Sequence, residues 1–372
     1  VTPDLLRPLT LRGTTVRNRA WLAPMCQYSS TDGLVDDWHV VHLGARAVGG
    51  FGLVLSEATA VVPEGRITPH DAGLWAGAHV EAWARVVRAI HAGGALAGVQ
   101  LAHAGRKAST HRPWAPVRGS VAPDDGGWVT VAPSAVPFEG LAAPRALATE
   151  ELPGVVGAFA DAARRADAAG FDVVEVHAAH GYLLHQFLSP LSNHRDDAYG
   201  GSPENRGRLL REVVAAVRAV WPDHKPLLVR VSATDWVEGG LTVDDVAAVV
   251  ADLGPLGADL VDVSSGGNVL ADIPVAPGYQ VPLARRVREV SGLPVAAVGL
   301  ITDGPQAEQA LRDGGVDAVM VGRAALRDPH WVLRAAHELG VPASSSDGDG
   351  ASSAEGDGAP LWPAQYLRGT WG

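Results

Sequence analysis

Short apolar runs recur along the chain, and alanine-rich stretches with helical spacing lie between many of them. The runs Trp21–Ala23, Leu53–Ala58, Leu96–Leu101, Val173–His177, Leu227–Val231, Leu260–Val263, Val295–Val298 and Ala318–Val321 predict eight strands. Helical spacing covers Val80–His91, Leu152–Ala169, Pro203–Val220, Val243–Leu253 and Pro305–Arg312. Strands that alternate with helices pair in parallel, and strands without polar alternation are covered on both faces. Eight such units fit an α/β chain closed into a (β/α)8 TIM barrel, entered through an N-terminal hairpin. The rival, an open doubly wound sheet, would place a glycine-rich turn after its first strand. Here Gly49-Gly-Phe-Gly52 and Gly93-Gly94 end helices and precede strands, so no dinucleotide fingerprint is present.

Two segments break the rhythm. Residues 111–140, rich in Pro, Gly and Trp, form a long loop after the third strand, on the side where barrels carry functional lids. Residues 343–360 have almost no apolar content and are expected to be a disordered acidic linker. The barrel is thus expected over residues 1–342, and residues 361–372, which carry Trp362, Tyr366 and Trp371, form a docking tail.

Composition narrows the function. The 372 residues are 47% hydrophobic and 19% charged, with a formal net charge of −11 and no Lys/Arg-rich run. Such a surface repels nucleic acid. A single cysteine, Cys26, rules out an intrachain disulfide and the cysteine-based zinc frameworks. No basic region followed by an apolar stretch opens the chain, and no uncharged apolar run could cross a bilayer, so a cytoplasmic location is expected.

The densest candidate chemistry is His177-Ala-Ala-His180-Gly-Tyr182, at the C-terminal end of the fourth strand, where barrels place catalysis. Each buried imidazole or phenol needs a hydrogen-bond partner. Either histidine alone reads equally as structural, but two with a tyrosine point to function. A zinc site would need a third ligand, and no nearby Cys or His-Glu-x-x-His helix supplies one. Gln100, His103, Arg106 and Lys107 close the third strand. Arg230 sits inside the fifth and needs an anion, either a ligand or a structural carboxylate. Ser264-Ser-Gly-Gly267, Gly299 and Val321-Gly-Arg323 follow strands six to eight, and backbone amides with an arginine after strands seven and eight make a phosphate site.

Pro24-Met-Cys-Gln-Tyr28, Val99-Gln-Leu-Ala-His-Ala-Gly-Arg-Lys107, His177-Ala-Ala-His-Gly-Tyr182, His185-Gln-Phe-Leu-Ser-Pro-Leu-Ser-Asn-His-Arg195, Tyr199-Gly-Gly-Ser-Pro-Glu-Asn-Arg206 and Val321-Gly-Arg323 strongly resemble the Old Yellow Enzyme family. Cys26 and the His/His pair resemble its bacterial thermophilic-like class. The resemblance spans residues 3–340 and part of the tail.

It implies an FMN across the barrel mouth. Pro24, Met25, Cys26 and Ala58 would line its ring, Gln100 and Arg230 would bond its pyrimidine edge, and Ser264, Gly299, Gly322 and Arg323 would hold its phosphate. It further implies an ene-reductase in which NADPH or NADH gives a hydride to flavin N5. The β-carbon of an activated alkene (an α,β-unsaturated ketone, an aldehyde or a maleimide) then receives it. His177 and His180 would bind the substrate carbonyl, Tyr182 would protonate the α-carbon, and Tyr28 and Arg368 would contact substrate. The Gln365-Tyr-Leu-Arg-Gly369 segment resembles tails that reach into a neighbouring subunit, which implies a homodimer or homotetramer with tail exchange. The alternatives are a flavin-binding protein without turnover, a dienoyl-CoA-reductase-like module, and a flavin-free barrel lyase acting on a phosphorylated sugar.

Overall fold

A computed structural model describes residues 2–342 and 361–371; the linker expected at 343–360 lies outside the described residues. Eight parallel strands close into one barrel: β1 (Ala20–Leu22), β2 (Leu53–Ala60), β3 (Leu96–Ala102), β4 (Val173–Ala178), β5 (Leu227–Ser232), β6 (Leu260–Ser264), β7 (Val295–Ala297) and β8 (Ala318–Val321). β8 pairs back onto β1 through Val319 opposite Ala20 and Val321 opposite Leu22, which completes the ring. Every strand coincides with a sequence-predicted run to within one or two residues.

The principal helices are α1 (Asp37–Val48), α2 (Gly77–Ala92), α3 (Leu152–Ala169), α4 (Arg208–Arg218), α5 (Val243–Ala251), α6 (Val281–Ser291), α7 (Gly304–Arg312) and α8 (Trp331–Glu338). Side chains supply several of their starts. Asp36 accepts from Trp38 N at 3.0 Å to cap α1, Asp303 accepts from Gln306 N at 2.9 Å to cap α7, and Thr242 with Asp245 forms a capping box on α5. The continuous helix read over Pro203–Val220 is instead a short turn at Pro203–Arg206 followed by α4, with Gly207 at the joint. Helices α1, α6 and α8 lie outside the helical spacing read from the sequence.

Strand residues divide into two apolar cores. Val54, Val99, Val174, Val229, Val261, Val319 and their neighbours pack against the helices. Trp21, Leu53, Leu55, Val173, Leu228, Leu260, Ala296 and Met320 fill the barrel interior. The N-terminal hairpin, Leu9–Leu11 with Thr14–Val16, closes the N-terminal end by adding Leu11 and Val16 to that interior cluster. The opposite end stays polar, and there the strands' C-terminal loops meet.

Candidate active site

Side chains alternate along a strand, so residues two apart share a face. From the closed end towards the open end, β4 presents Val173, Glu175 and His177 to the interior, β5 presents Leu228, Arg230 and Ser232, and β6 presents Leu260, Asp262 and Ser264. Each strand therefore passes from an apolar residue to a charged one and then to a hydrogen-bonding one at the mouth.

His177 is buried, and its Nδ1 accepts from Ala179 N at 3.2 Å. A neutral ring with Nδ1 so engaged carries its proton on Nε2. His180 has φ of 57°, in the left-handed region. Its amide donates to Ser232 Oγ at 2.9 Å, and its Nε2 lies 2.7 Å from Ser264 Oγ. The two rings stand 5.2 Å apart and nearly perpendicular, and Tyr182 stands 5.0 Å from His177. Burial, reinforced by the Arg230 charge, holds both imidazoles well below their ordinary pKa, so they are neutral at neutral pH. Burial raises the Tyr182 phenol, with Cys26 and Asp71 adding to it and Arg230 opposing, so Tyr182 keeps its proton.

Lys107 ties this corner together. Its amine donates to His180 O at 2.8 Å and to Gly267 O at 2.9 Å, which links the loops after β4 and β6. Those loops approach so closely that a Cβ on Gly181 would stand 2.2 Å from Gly267 O. Burial, with Arg106 adjacent, lowers the Lys107 amine to about 8. Arg106, also buried, donates to Asn268 O at 2.6 Å and to Val136 O at 3.1 Å, and so binds the long loop after β3. His103 is buried, accepts from Gly105 N at 3.1 Å, and is lowered to about 4 by burial.

The segment after β1 forms the opposite side. Gln27 N donates to Glu57 Oε2 at 3.1 Å, and Glu57 Oε1 meets His39 Nε2 at 3.1 Å. This buried pair fixes Pro24–Tyr28, and the sequence reading missed it. The clue was a glutamate inside an apolar strand, the same kind of signal that had singled out Arg230. Burial raises the Cys26 thiol, and Asp71 and Glu57 add to it, so Cys26 stays protonated. Ala58 and Tyr182 line one small cavity with Ile67, Asp71 and Ala104. The long loop reaches this side through Trp114, whose ring meets Tyr28 edge-on at 5.8 Å.

The residues fit FMN. Arg230 is 5% exposed, and its Nε lies 2.9 Å from Asp262 Oδ2 yet makes no hydrogen bond. Gly299, with φ of 134°, has Gln280 Nε2 3.1 Å from where a Cβ would stand, so only glycine suits that turn. A Cβ on Gly322 would meet only Met25 Sδ, at 3.8 Å, which leaves an open cradle beside the exposed Arg323. Ser264 is brought to His180, and its hydroxyl, which also lies 3.3 Å from Gln280 Oε1, donates to one or the other. Arg368 is exposed in the tail, between Tyr366 on His330 at 5.5 Å and Trp371 on His337 at 4.9 Å. These tail contacts lie along α8 of the same barrel.

The NADH:flavin oxidoreductase / NADH oxidase family matches residues 4–341. The chain belongs to this family, that of the Old Yellow Enzymes. It is 49% identical over 340 residues to an NADPH dehydrogenase of Geobacillus thermodenitrificans (strain NG80-2), covering 91% of this chain and 95% of that protein. It is 46% identical over 338 residues to an NADPH dehydrogenase of Bacillus subtilis (strain 168), covering 90% and 95%. Morphinone reductase in complex with tetrahydroNAD superposes with a TM-score of 0.75 at 30% identity, covering 93% of both chains. An Old Yellow Enzyme homologue from Zymomonas mobilis gives 0.75 at 29% identity, covering 91% and 94%. This Old Yellow Enzyme is therefore a flavin oxidoreductase with FMN as cofactor and a reduced nicotinamide as electron donor. Among the described residues, no helix is long and apolar enough to cross a membrane.

Proposed function

We propose that the enzyme is an ene-reductase that saturates alkenes conjugated to a carbonyl, with NADPH as donor. The observation that carries this reading is the convergence, at the end of β4, of two neutral imidazoles and a phenol that retains its proton. Pro24, Met25, Cys26 and Ala58 would line the flavin ring, Gln100 and Arg230 would face its pyrimidine edge, and Ser264, Gly299, Gly322 and Arg323 would hold its phosphate. FMN, when bound, supplies the hydride chemistry; the side chains orient, polarise and protonate.

His177 presents its Nε2 proton to the substrate carbonyl oxygen. With the Ser264 hydroxyl, 2.7 Å away, turned to His180 Nε2 rather than to Gln280 Oε1, the His180 proton sits on Nδ1 as the second donor. Two fixed donors stabilise negative charge as it develops on that oxygen, and each is worth about 2.7–4 kcal/mol of barrier in comparable sites. Tyr182 holds the proton for the α-carbon. Cys26, a protonated thiol without an adjacent base, adjusts the cofactor's environment and forms no covalent bond to substrate. Tyr28 contacts the substrate, and the long loop covers it. Arg368 serves the mouth of a neighbouring barrel in a homodimer or homotetramer.

The test is anaerobic NADPH consumption with cyclic enones, enals and maleimides. Stoichiometric formation of saturated products is expected. NADPH oxidation only when oxygen is admitted, with no alkene in the panel reduced, would overturn the reading.

A further inference from the structure

Beneath the mouth, the barrel interior holds a charged layer that the chemistry above does not use. Glu175 and Asp262 are both fully buried. Among the described residues the only cation beside them is Arg230, and Gln100 Nε2 donates to Glu175 Oε1 at 2.7 Å. Glu175 Oε2 and both Asp262 oxygens find no hydrogen-bond donor. Among the described residues, the other elements facing this layer add no charge. Towards the closed end lie Leu53, Leu55, Val173, Leu228 and Leu260, and β7 and β8 contribute Ala296 and Met320. Towards the mouth lie His177 and His180, both neutral, and Ser264, with Lys107 beyond them.

Counting formal charges gives two carboxylates against one guanidinium in a compartment sealed from water. A net buried charge is strongly disfavoured, and two carboxyl groups close to one cation share a proton instead. Protonating one carboxyl also removes the charge from an acceptor that has no donor. The groups differ in what they touch: Asp262 lies against the guanidinium, whereas Glu175 receives only a neutral amide.

We infer that Glu175 and Asp262 form a proton-holding site beneath the barrel mouth, in which Glu175 carries the proton and Asp262 is the counter-ion of Arg230. The site makes the layer neutral, so that the Arg230 charge is matched once and not outweighed. Burial raises both carboxyls, Asp262 raises Glu175 further, and Arg230 opposes in each case. If Arg230 faces the cofactor's pyrimidine edge, as proposed above, reduction places negative charge next to the layer. That charge tightens the hold on the proton. Where Glu175 has lost its proton, each two-electron reduction draws one from solvent back to it.

The first test is infrared spectroscopy of the oxidised holoenzyme at pH 7, with and without 13C-labelled glutamate. A protonated-acid C=O band is expected that moves on glutamate labelling, shifts in D2O and is lost in Glu175→Gln. It is also lost in Asp262→Asn, because Arg230 then takes Glu175 as its only counter-ion. Absence of a label-sensitive acid band in the wild type overturns the proton site, and that measurement needs no variant to fold. The second test follows the flavin midpoint potential against pH. Over a window above neutral pH the wild type should steepen by one proton per two electrons, about 30 mV per pH unit, and Glu175→Gln should not. A band with no steepening would retain the proton site and overturn its link to the cofactor edge.

Discussion

The two ends of the barrel interior are built from the same strands and the same alternation, yet they have opposite characters. At the closed end, Leu53, Leu55, Leu228 and Leu260 pack against the hairpin's Leu11 and Val16. Four residues further along β4, β5 and β6, on the same face, stand His177, Ser232 and Ser264. The closed end lowers the free energy of the fold by removing apolar surface from water. The mouth spends part of that stability on buried neutral imidazoles and on left-handed backbone at Tyr28 and His180. The charged layer lies between the two. Stability and chemistry are therefore separated along the barrel axis, and changes at one end should register mainly in one kind of measurement.

The largest expected effect is at the mouth. His177→Ala with His180→Ala should reduce enone turnover by at least 10²–10³-fold, the value of about one fixed donor. NADPH oxidation by oxygen should stay measurable and the melting temperature should not fall; a collapse of stability would break the separation. The same variant tests a pH dependence. His177, His180 and His103 titrate lower when folded than the ordinary 6.5, His103 at about 4. As pH falls the unfolded chain binds these protons first. The folded chain's preference for neutral histidines is fully expressed above pH 6.5, and stability is lost as pH falls below it. The double variant, which keeps His103, should show a shallower loss of melting temperature below pH 6.5.

At the closed end, Leu228→Ala should cost about 2–5 kcal/mol of stability and leave the turnover number at 25 °C nearly unchanged. Calorimetry and steady-state kinetics on one preparation check this, and a large drop in turnover would join the two ends. Tyr182→Phe should slow alkene reduction by about 10²-fold, less where solvent supplies the proton, with little change in substrate affinity. An unchanged rate would remove Tyr182 from the chemistry. The smallest effect is expected for Cys26→Ala, which should keep FMN bound and shift its midpoint potential modestly. Complete inactivation with normal flavin content would assign the thiol a direct chemical step.

Much of this was legible in the sequence, for identifiable reasons. The strands are apolar on both faces, so their runs stand out, and Leu152–Ala169 shows its full helical period. Helix α6 was hidden because it buries only Ala284 and Val287, too narrow a stripe to register. Helix α1 was hidden because Trp38 and Val41 are exposed on it, which blurs the apolar face. At the site, motif spacing pointed to His177, His180 and Tyr182. It did not reveal that Ser264 turns towards His180 or that Glu57 holds Gln27, because those bonds join segments far apart in the chain. Glu175 and Asp262 were passed over although each interrupts an apolar strand as Arg230 does.

The Lys107 amine has a consequence for how such a mouth changes over evolutionary time. It binds backbone carbonyls on two loops at once, and its neighbour Arg106 binds a third. Recombination that replaces one of those loops alone would leave a desolvated cation without one of its acceptors, and the other loops would have to move with it. The three loops are thus expected to change together. The outer part of residues 111–140 is freer, since Trp114 meets the site only by an edge contact with Tyr28 and is otherwise exposed. New substrate preferences should therefore arise first by rewriting that segment, with the histidine corner carried along unchanged.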